Sequence, residues 1–176
     1  VEGRLAYIRD LMAKYGVNDK PVFITEAGII DYNGYVDDYD TTFESTKADY
    51  VVWLYTRNLA LGIDATFWYH LDNYGWKQSG LLDRNNNELP AYYTYAGVTE
   101  ALENLSFEDF QRNINNAGLG VYGFEFQRSD GSYLWVLFTS SISNIEIQFT
   151  DGTKVYDHNY EPITSIATFD RFDFTR

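Results

Sequence analysis

Glu26 closes the apolar run Val22-Phe23-Ile24-Thr25, and Ala27-Gly28 follows it. A short apolar run ending in one carboxylate is how a buried parallel strand carries an acidic side chain to the rim of its sheet. At the C-terminal end of a barrel strand, such a group is a catalytic candidate: it can donate or accept a proton, or attack as a nucleophile. The bland alternative is a surface Glu in a strand-to-loop turn. Other groups with chemical potential are sparse. His70 and His158 are the two histidines, without paired spacing, so a zinc site is not expected. Asp83, Asn85 and Asn87 imitate the opening of a calcium loop. The sixth position is Glu88 where Gly is required, and the twelfth is Thr94 where Glu is required, so a polar turn is the better reading. Asp37, Asp38 and Asp40 read as a solvated acidic loop, with weak cation or hydroxyl contacts as the lesser option. No metal and no cofactor is implied.

Period and punctuation set out the elements that must position these groups. Leu5, Ile8, Leu11, Met12 and Tyr15 share one helical face, and Gly16 ends that helix. Pro21 opens the strand Val22–Thr25. After a Tyr- and Asp-rich loop, Thr42 is the expected N-cap of a helix carrying Ala48, Val51, Val52, Tyr55, Leu59 and Leu61, closed by Gly62. Ala65–Leu71 reads as a second buried strand. Pro90 starts a third helix with Tyr92, Tyr95, Val98, Leu102 and Leu105 on one side. Residues 1–105 therefore read α-β-α-β-α, with a parallel strand pair and a right-handed crossover. Two such strands cannot cover their own faces and edges.

Near residue 106 the period changes from helical to alternating. Ser106–Ala117 is a linker or a first strand. Strands are expected around 121–127 and at Tyr133–Thr139, joined by the turn Ser129-Asp130-Gly131. Ile145, Ile147 and Phe149 form another strand, which Asp151-Gly152 would turn back into Lys154–Tyr156. Thr164–Phe174 supplies one or two more. This spacing suggests a small antiparallel sandwich over 106–176.

The 45% hydrophobic and 18% aromatic composition of the 176 residues supplies ample core, which argues against disorder. The net charge of −13 argues against nucleic acid and anionic membrane partners. No apolar run reaches membrane-spanning length. With no Cys, disulfides and thiolate metal sites are excluded. The chain opens at Val1 inside a helical pattern, as expected of a segment from a longer protein.

Three pieces in order carry a resemblance: Lys20–Gly28, Ala65–Leu71, and Gly80-Leu81-Leu82-Asp83 through Leu89-Pro90-Ala91-Tyr92-Tyr93. Together they resemble the C-terminal end of a (β/α)8-barrel retaining glycoside hydrolase of the clan A type, similar to the β-xylosidase and α-L-iduronidase group. The match covers 20–105 most closely, and Leu89 stands where the family usually has Lys. The fold class expected is thus α/β plus all-β: the last strand–helix segments of a TIM barrel over 1–105, then a small β-sandwich over 106–176. The resemblance makes Glu26, at the end of barrel strand seven, the nucleophile. Trp68, on strand eight, falls at a substrate-facing aromatic position.

A sugar presents apolar C–H faces that stack on an indole, so Trp68 is a candidate platform; a core role is the competing reading. Trp76, Tyr32 and Tyr35 lie in loops at the same rim and are binding candidates on that ground. His70 is either a substrate-side group or structural. Retaining enzymes need two carboxylates about 5–5.5 Å apart. The resemblance assigns the acid/base to a Glu after Asn on strand four, which this chain does not contain. Asn87-Glu88 is the one Asn-Glu pair here, and it reads as a turn. The expectation is a glycoside hydrolase segment holding half of the catalytic pair, inactive alone, whose partners are a carbohydrate substrate and either the missing barrel segments or further copies of itself. An extracellular or periplasmic parent fits best. The alternatives are a non-catalytic carbohydrate-binding accessory protein and a self-assembling structural fragment.

Overall fold

The computed structural model describes residues 2–32, 40–72, 77–116, 118, 120–139, 145–148, 154–157, 162–163 and 166–169. Helix α1 spans Glu2–Tyr15 and strand β1 Phe23–Ala27. Helix α2 spans Thr41–Ala60, strand β2 Ala65–Trp68 and helix α3 Pro90–Ala101. β1 and β2 are parallel, with Phe23 opposite Ala65 and Ile24 opposite Thr66. The α-β-α-β-α reading and the parallel pair are thus observed.

Several local expectations need correction. The N-cap of α2 is Asp40, not Thr42: its carboxylate accepts the Thr42 and Phe43 amides at 2.8 and 3.2 Å. Asp is as good a cap as Thr, and its carboxylate also meets the positive end of the helix dipole. Helix α3 stops at Ala101, so Leu105 lies past its end. Strand β1 runs to Ala27, which puts Glu26 inside the strand, within a register shift between Ile24 and Ala27, and not just after it. Strand β2 is shorter than Ala65–Leu71, and neither strand is buried on both faces. Phe23 and Phe67 are each 53% exposed, and Leu71 is exposed as well. Among the described residues, β1 and β2 pair only with each other; Phe23 and Phe67 mark one face as open, while Trp68 packs against α2 and α3 on the covered face.

That covered face is the core. Ala48, Val51, Leu81, Ala91 and Val98 are buried together, with Tyr55, Trp68 and Tyr95 packed against them. Tyr55 and Tyr95 meet edge to face at 5.1 Å. Helix α1 buries little beyond Leu5. It is held by polar ties: Arg9 Nη2 donates to the Gly62 carbonyl at 3.0 Å, and Arg57 pairs with Glu2 at 2.9 Å.

The alternating region opens with a tight turn at Phe107–Asp109, then strand β3, Phe110–Asn116. Ser106–Ala117 is therefore mostly a first strand. β4 (Val121–Gln127) pairs antiparallel with β3 and with β5 (Tyr133–Thr139). The Ser129-Asp130-Gly131 turn closes as expected, with the Arg128 amide on the Ser132 carbonyl at 2.8 Å. β6 (Ile145–Gln148) does not return through Lys154–Tyr156. It pairs with β9 (Ile166–Phe169), while β7 (Val155–Tyr156) pairs with β8 (Pro162–Ile163). Alternation identifies a strand and its two faces but does not choose its partner. Asp151-Gly152 lies outside the described residues.

The β3–β5 sheet is fastened to the helical part. Arg128 Nη2 donates to the Ala101 carbonyl at the end of α3, at 2.6 Å. Within the sheet, Glu125 accepts both Arg112 Nε and Nη2, at 2.9 and 3.0 Å, and the Trp135 indole N–H at 2.7 Å. Among the described residues, no helix is long and apolar enough to cross a membrane.

Candidate functional site

In a parallel strand–helix–strand unit, the ends where the strands give way to loops gather the loop side chains. Glu26 sits there, exposed, one residue before the end of β1. Among the described residues its carboxylate has no hydrogen bond or ion pair. The register shifts between Ile24 and Ala27, across Thr25 and Glu26, and the ladder resumes with Ala27 opposite Trp68 and the Tyr69 amide donating to the Ala27 carbonyl at 2.7 Å. Gly28 has a steric reason to follow. A Cβ there would lie 2.6 Å from the Tyr69 carbonyl oxygen, a backbone atom that cannot swing away.

The loop after β1 is drawn toward the loop after β2. The Asp31 amide donates to the Lys77 carbonyl at 3.0 Å, and Lys77 Nζ donates to the Tyr32 carbonyl at 3.0 Å. The same ammonium lies 4.5 Å from the centre of the Tyr32 ring. Tyr32 is 80% exposed, so a loop aromatic is presented to solvent with its ring backed by a cation.

Trp68 takes a different position from Tyr32. It packs against the core between the strands and α2, and its indole N–H donates to the Ser79 carbonyl at 2.9 Å. Its ring meets that of Tyr50 edge-on at 6.1 Å. His70 is half-buried, with Nδ1 3.5 Å from Asp72 Oδ1 and its ring edge-on to Tyr69 at 5.1 Å. The Tyr69–His70 peptide is cis. Glu26, Tyr32, Lys77 and His70 thus all belong to the loop ends of the parallel pair. Trp76, Tyr35, Asp37, Asp38 and His158 lie outside the described residues.

The Asp83 turn is self-contained. The carboxylate accepts the Asn85 amide at 2.7 Å, the Asn87 amide at 2.8 Å and the Asn87 side-chain amide at 2.8 Å. The Asn87 side chain, then the turn amides, hold Asp83 below the usual carboxylate range. Its oxygens serve the turn. Glu88 accepts the Tyr93 hydroxyl at 2.6 Å, on the surface at the start of α3. Among the described residues, no three His, Asp or Glu side chains gather as metal ligands would.

Sequence reasoning missed a buried polar group that is heavily built among the described residues. Lys47 and Glu44, on α2, are 0% and 1% exposed and pair at 2.8 Å. Lys47 Nζ also donates to the carbonyls of Gln78 and Gly80 at 2.8 and 2.7 Å. Burial pushes the Glu44 carboxyl up and the Lys47 ammonium down, and their hydrogen bond opposes both shifts. The one available signal was positional: Glu44 and Lys47, three apart, share a helical face with Ala48 and Val51.

A cleft of about 500 Å³, lined by Arg9, Met12, Lys20, Val22, Gly62 and Asp64, opens at the opposite, N-terminal ends of the strands. Ligands of parallel α/β units bind at the carboxyl ends, so the Glu26 rim, not this cleft, is the candidate site. No protein-family model matches the chain, and no curated protein matches it.

Proposed function

We propose that the chain is the C-terminal part of a (β/α)8-barrel retaining glycoside hydrolase, with Glu26 as its nucleophile and a small sandwich formed by the strands after residue 106. One observation carries the reading: a solvent-facing carboxylate without a described partner at the C-terminal rim of a parallel strand, beside an exposed aromatic loop. In the first step the Glu26 carboxylate bonds to the anomeric carbon as the glycosidic C–O bond breaks, and a second carboxylic acid protonates the leaving oxygen. In the second step that group, now a base, takes a proton from water, which displaces Glu26 and releases the sugar. The second carboxyl belongs to a barrel strand outside this chain. Tyr32 supplies a stacking surface for the sugar, and Trp68 contributes by backing the rim from the core side.

The test is labelling. With the remaining barrel strands supplied, a mechanism-based fluorosugar attaches to Glu26, and peptide mapping reads the site. A label on any other carboxylate refutes the assignment. Glu44 is buried against Lys47, and Glu88 is held by Tyr93, so neither is expected to react. The 176 residues alone turn over aryl glycosides no faster than a Glu26→Gln variant, because losing one of two acid–base groups costs about 10²–10⁴-fold. Turnover by this chain that Glu26→Gln abolishes would overturn the need for an outside acid.

A further inference from the structure

Four successive carbonyls, Lys77 to Gly80, each accept a donor from another element. Lys77 takes the Asp31 amide, Gln78 and Gly80 take Lys47 Nζ, and Ser79 takes the Trp68 indole N–H. The donors come from the loop after β1, from α2 and from β2. Lys77 and Gln78 hold φ values of 41° and 58°, in the left-handed region that side chains other than glycine rarely occupy. Backbone of this kind persists where its surroundings over-determine it.

Lys47 is the side chain that grips this segment twice. An ammonium has three protons. Here they go to Glu44 Oε1, Gln78 O and Gly80 O. Desolvating both ions of the pair is costly, and apolar residues of like volume pack the same space at lower cost. What no apolar side chain does is hold two chosen carbonyls of a neighbouring loop. From that loop the connection runs on: the Lys77 side chain and carbonyl secure Tyr32 and Asp31, and the Ser79 carbonyl fixes the plane of Trp68.

We propose that Lys47 is a positioning residue: through Gln78 and Gly80 it fixes the 77–80 segment, and through that segment it sets the loop following Glu26 and the orientation of Trp68. What the loop serves rests on the glycosidase reading; the positioning rests on the geometry alone. The experiment is native-state hydrogen exchange by NMR on the chain and on Lys47→Met. The Asp31 amide and the Trp68 indole N–H are expected to lose protection about tenfold or more, while the β4 amides change less than about twofold, as for a local opening. The indole cross-peak also moves toward the position of a water-exposed tryptophan. Glu44→Gln, which keeps Lys47 and an acceptor oxygen, is expected to leave the Asp31 and Trp68 protection near wild type. If Lys47→Met does not fold, Lys47→Arg is read in the same way. A planar guanidinium does not converge on three acceptors as an ammonium does, so the same selective loss is expected. Retained protection at Asp31 and Trp68 in a folded Lys47 variant overturns the proposal. Equal loss across β3–β5 overturns it too, since Lys47 would then be a general core residue. Selective loss together with no fluorosugar label on Glu26 would uphold the positioning and reject the glycosidase.

Discussion

Replacing Lys47 by Met should give a stability loss that depends on pH in one direction. In the variant, Glu44 keeps a side chain only 1% exposed and loses the donor to Oε1. Its Oε2 already has no hydrogen-bond partner among the described residues. Breaking a buried pair by removing one partner costs about 3–5 kcal/mol, because a buried charge is left uncompensated. Glu44 can escape that cost by binding a proton. Burial already raises its pKa above the ordinary 4.5, and removing Lys47 deletes the hydrogen bond and charge that restrained it. A folded pKa above the unfolded one gives a contribution fully present below pH 4.5 and lost as pH rises through the folded value. The loss relative to wild type is therefore smallest near pH 5 and grows toward pH 8. Its slope reaches at most about 1.4 kcal/mol per pH unit, the limit for one proton. Lys47 itself works the other way. Its folded pKa is depressed, so its contribution is present above 10.5 and is lost as pH falls through the folded value. Glu44→Gln keeps Lys47 and isolates that term. In Lys47→Met/Glu44→Leu the slope between pH 5 and 8 should vanish, with much of the stability recovered. Urea unfolding at several pH values reads all four proteins. A Lys47→Met loss that stays constant from pH 5 to 8 would refute the reasoning, since Glu44 would then have no trapped charge to neutralise.

Gly123→Ala should destabilise the β3–β5 sheet by about 1–3 kcal/mol, because the new Cβ falls 2.0 Å from the Val136 carbonyl oxygen and only the backbone can yield; a thermal melt within a degree of wild type would contradict this. Glu125 is held below the usual glutamate range by its hydrogen bonds to Arg112 and then Trp135, against the opposing effect of burial, so its stabilising share is present above pH 4.5 and lost as pH falls through the folded value. Glu125→Gln should cost about 1 kcal/mol at pH 7, discounted because Arg112 is largely solvated, and should flatten the acid side of the stability profile; an unchanged acid limb in a pH titration argues against it. The open face holding Phe23 and Phe67 should make the isolated chain associate with itself at micromolar concentration, and polar substitution of both rings should reduce that association. A sharp-melting monomer in sedimentation equilibrium would count against that reading.

The helical half was largely readable because its signals are local. Gly16 at φ 67° closes α1, Pro90 opens α3 at its first turn, and the apolar spacing of α2 points Ala48 and Val51 into the core. Glu26 stood out for the same reason, as the lone charge ending an apolar strand. Strand partnership was less readable: the Asp151-Gly152 signal suggested a local hairpin, while β6 finds its ladder with β9. The Lys47 clamp was invisible because its acceptors are backbone carbonyls 31 and 33 residues away, and carbonyls carry no signature in sequence.

Sequence alone therefore determined the order and period of the elements, the parallel sense of the first pair and the carboxylate at its rim. These follow from residue spacing and from the chirality of a strand–helix–strand crossover. Tertiary structure decided which aromatics face water and which are core. It sent Trp68 inward to the Ser79 carbonyl, left Tyr32 exposed over Lys77, and buried the Glu44–Lys47 ion pair against the 77–80 segment. The physical reason is that burial and hydrogen-bond partnership belong to pairs of distant residues. A one-dimensional pattern can restrict such pairs but cannot choose among them.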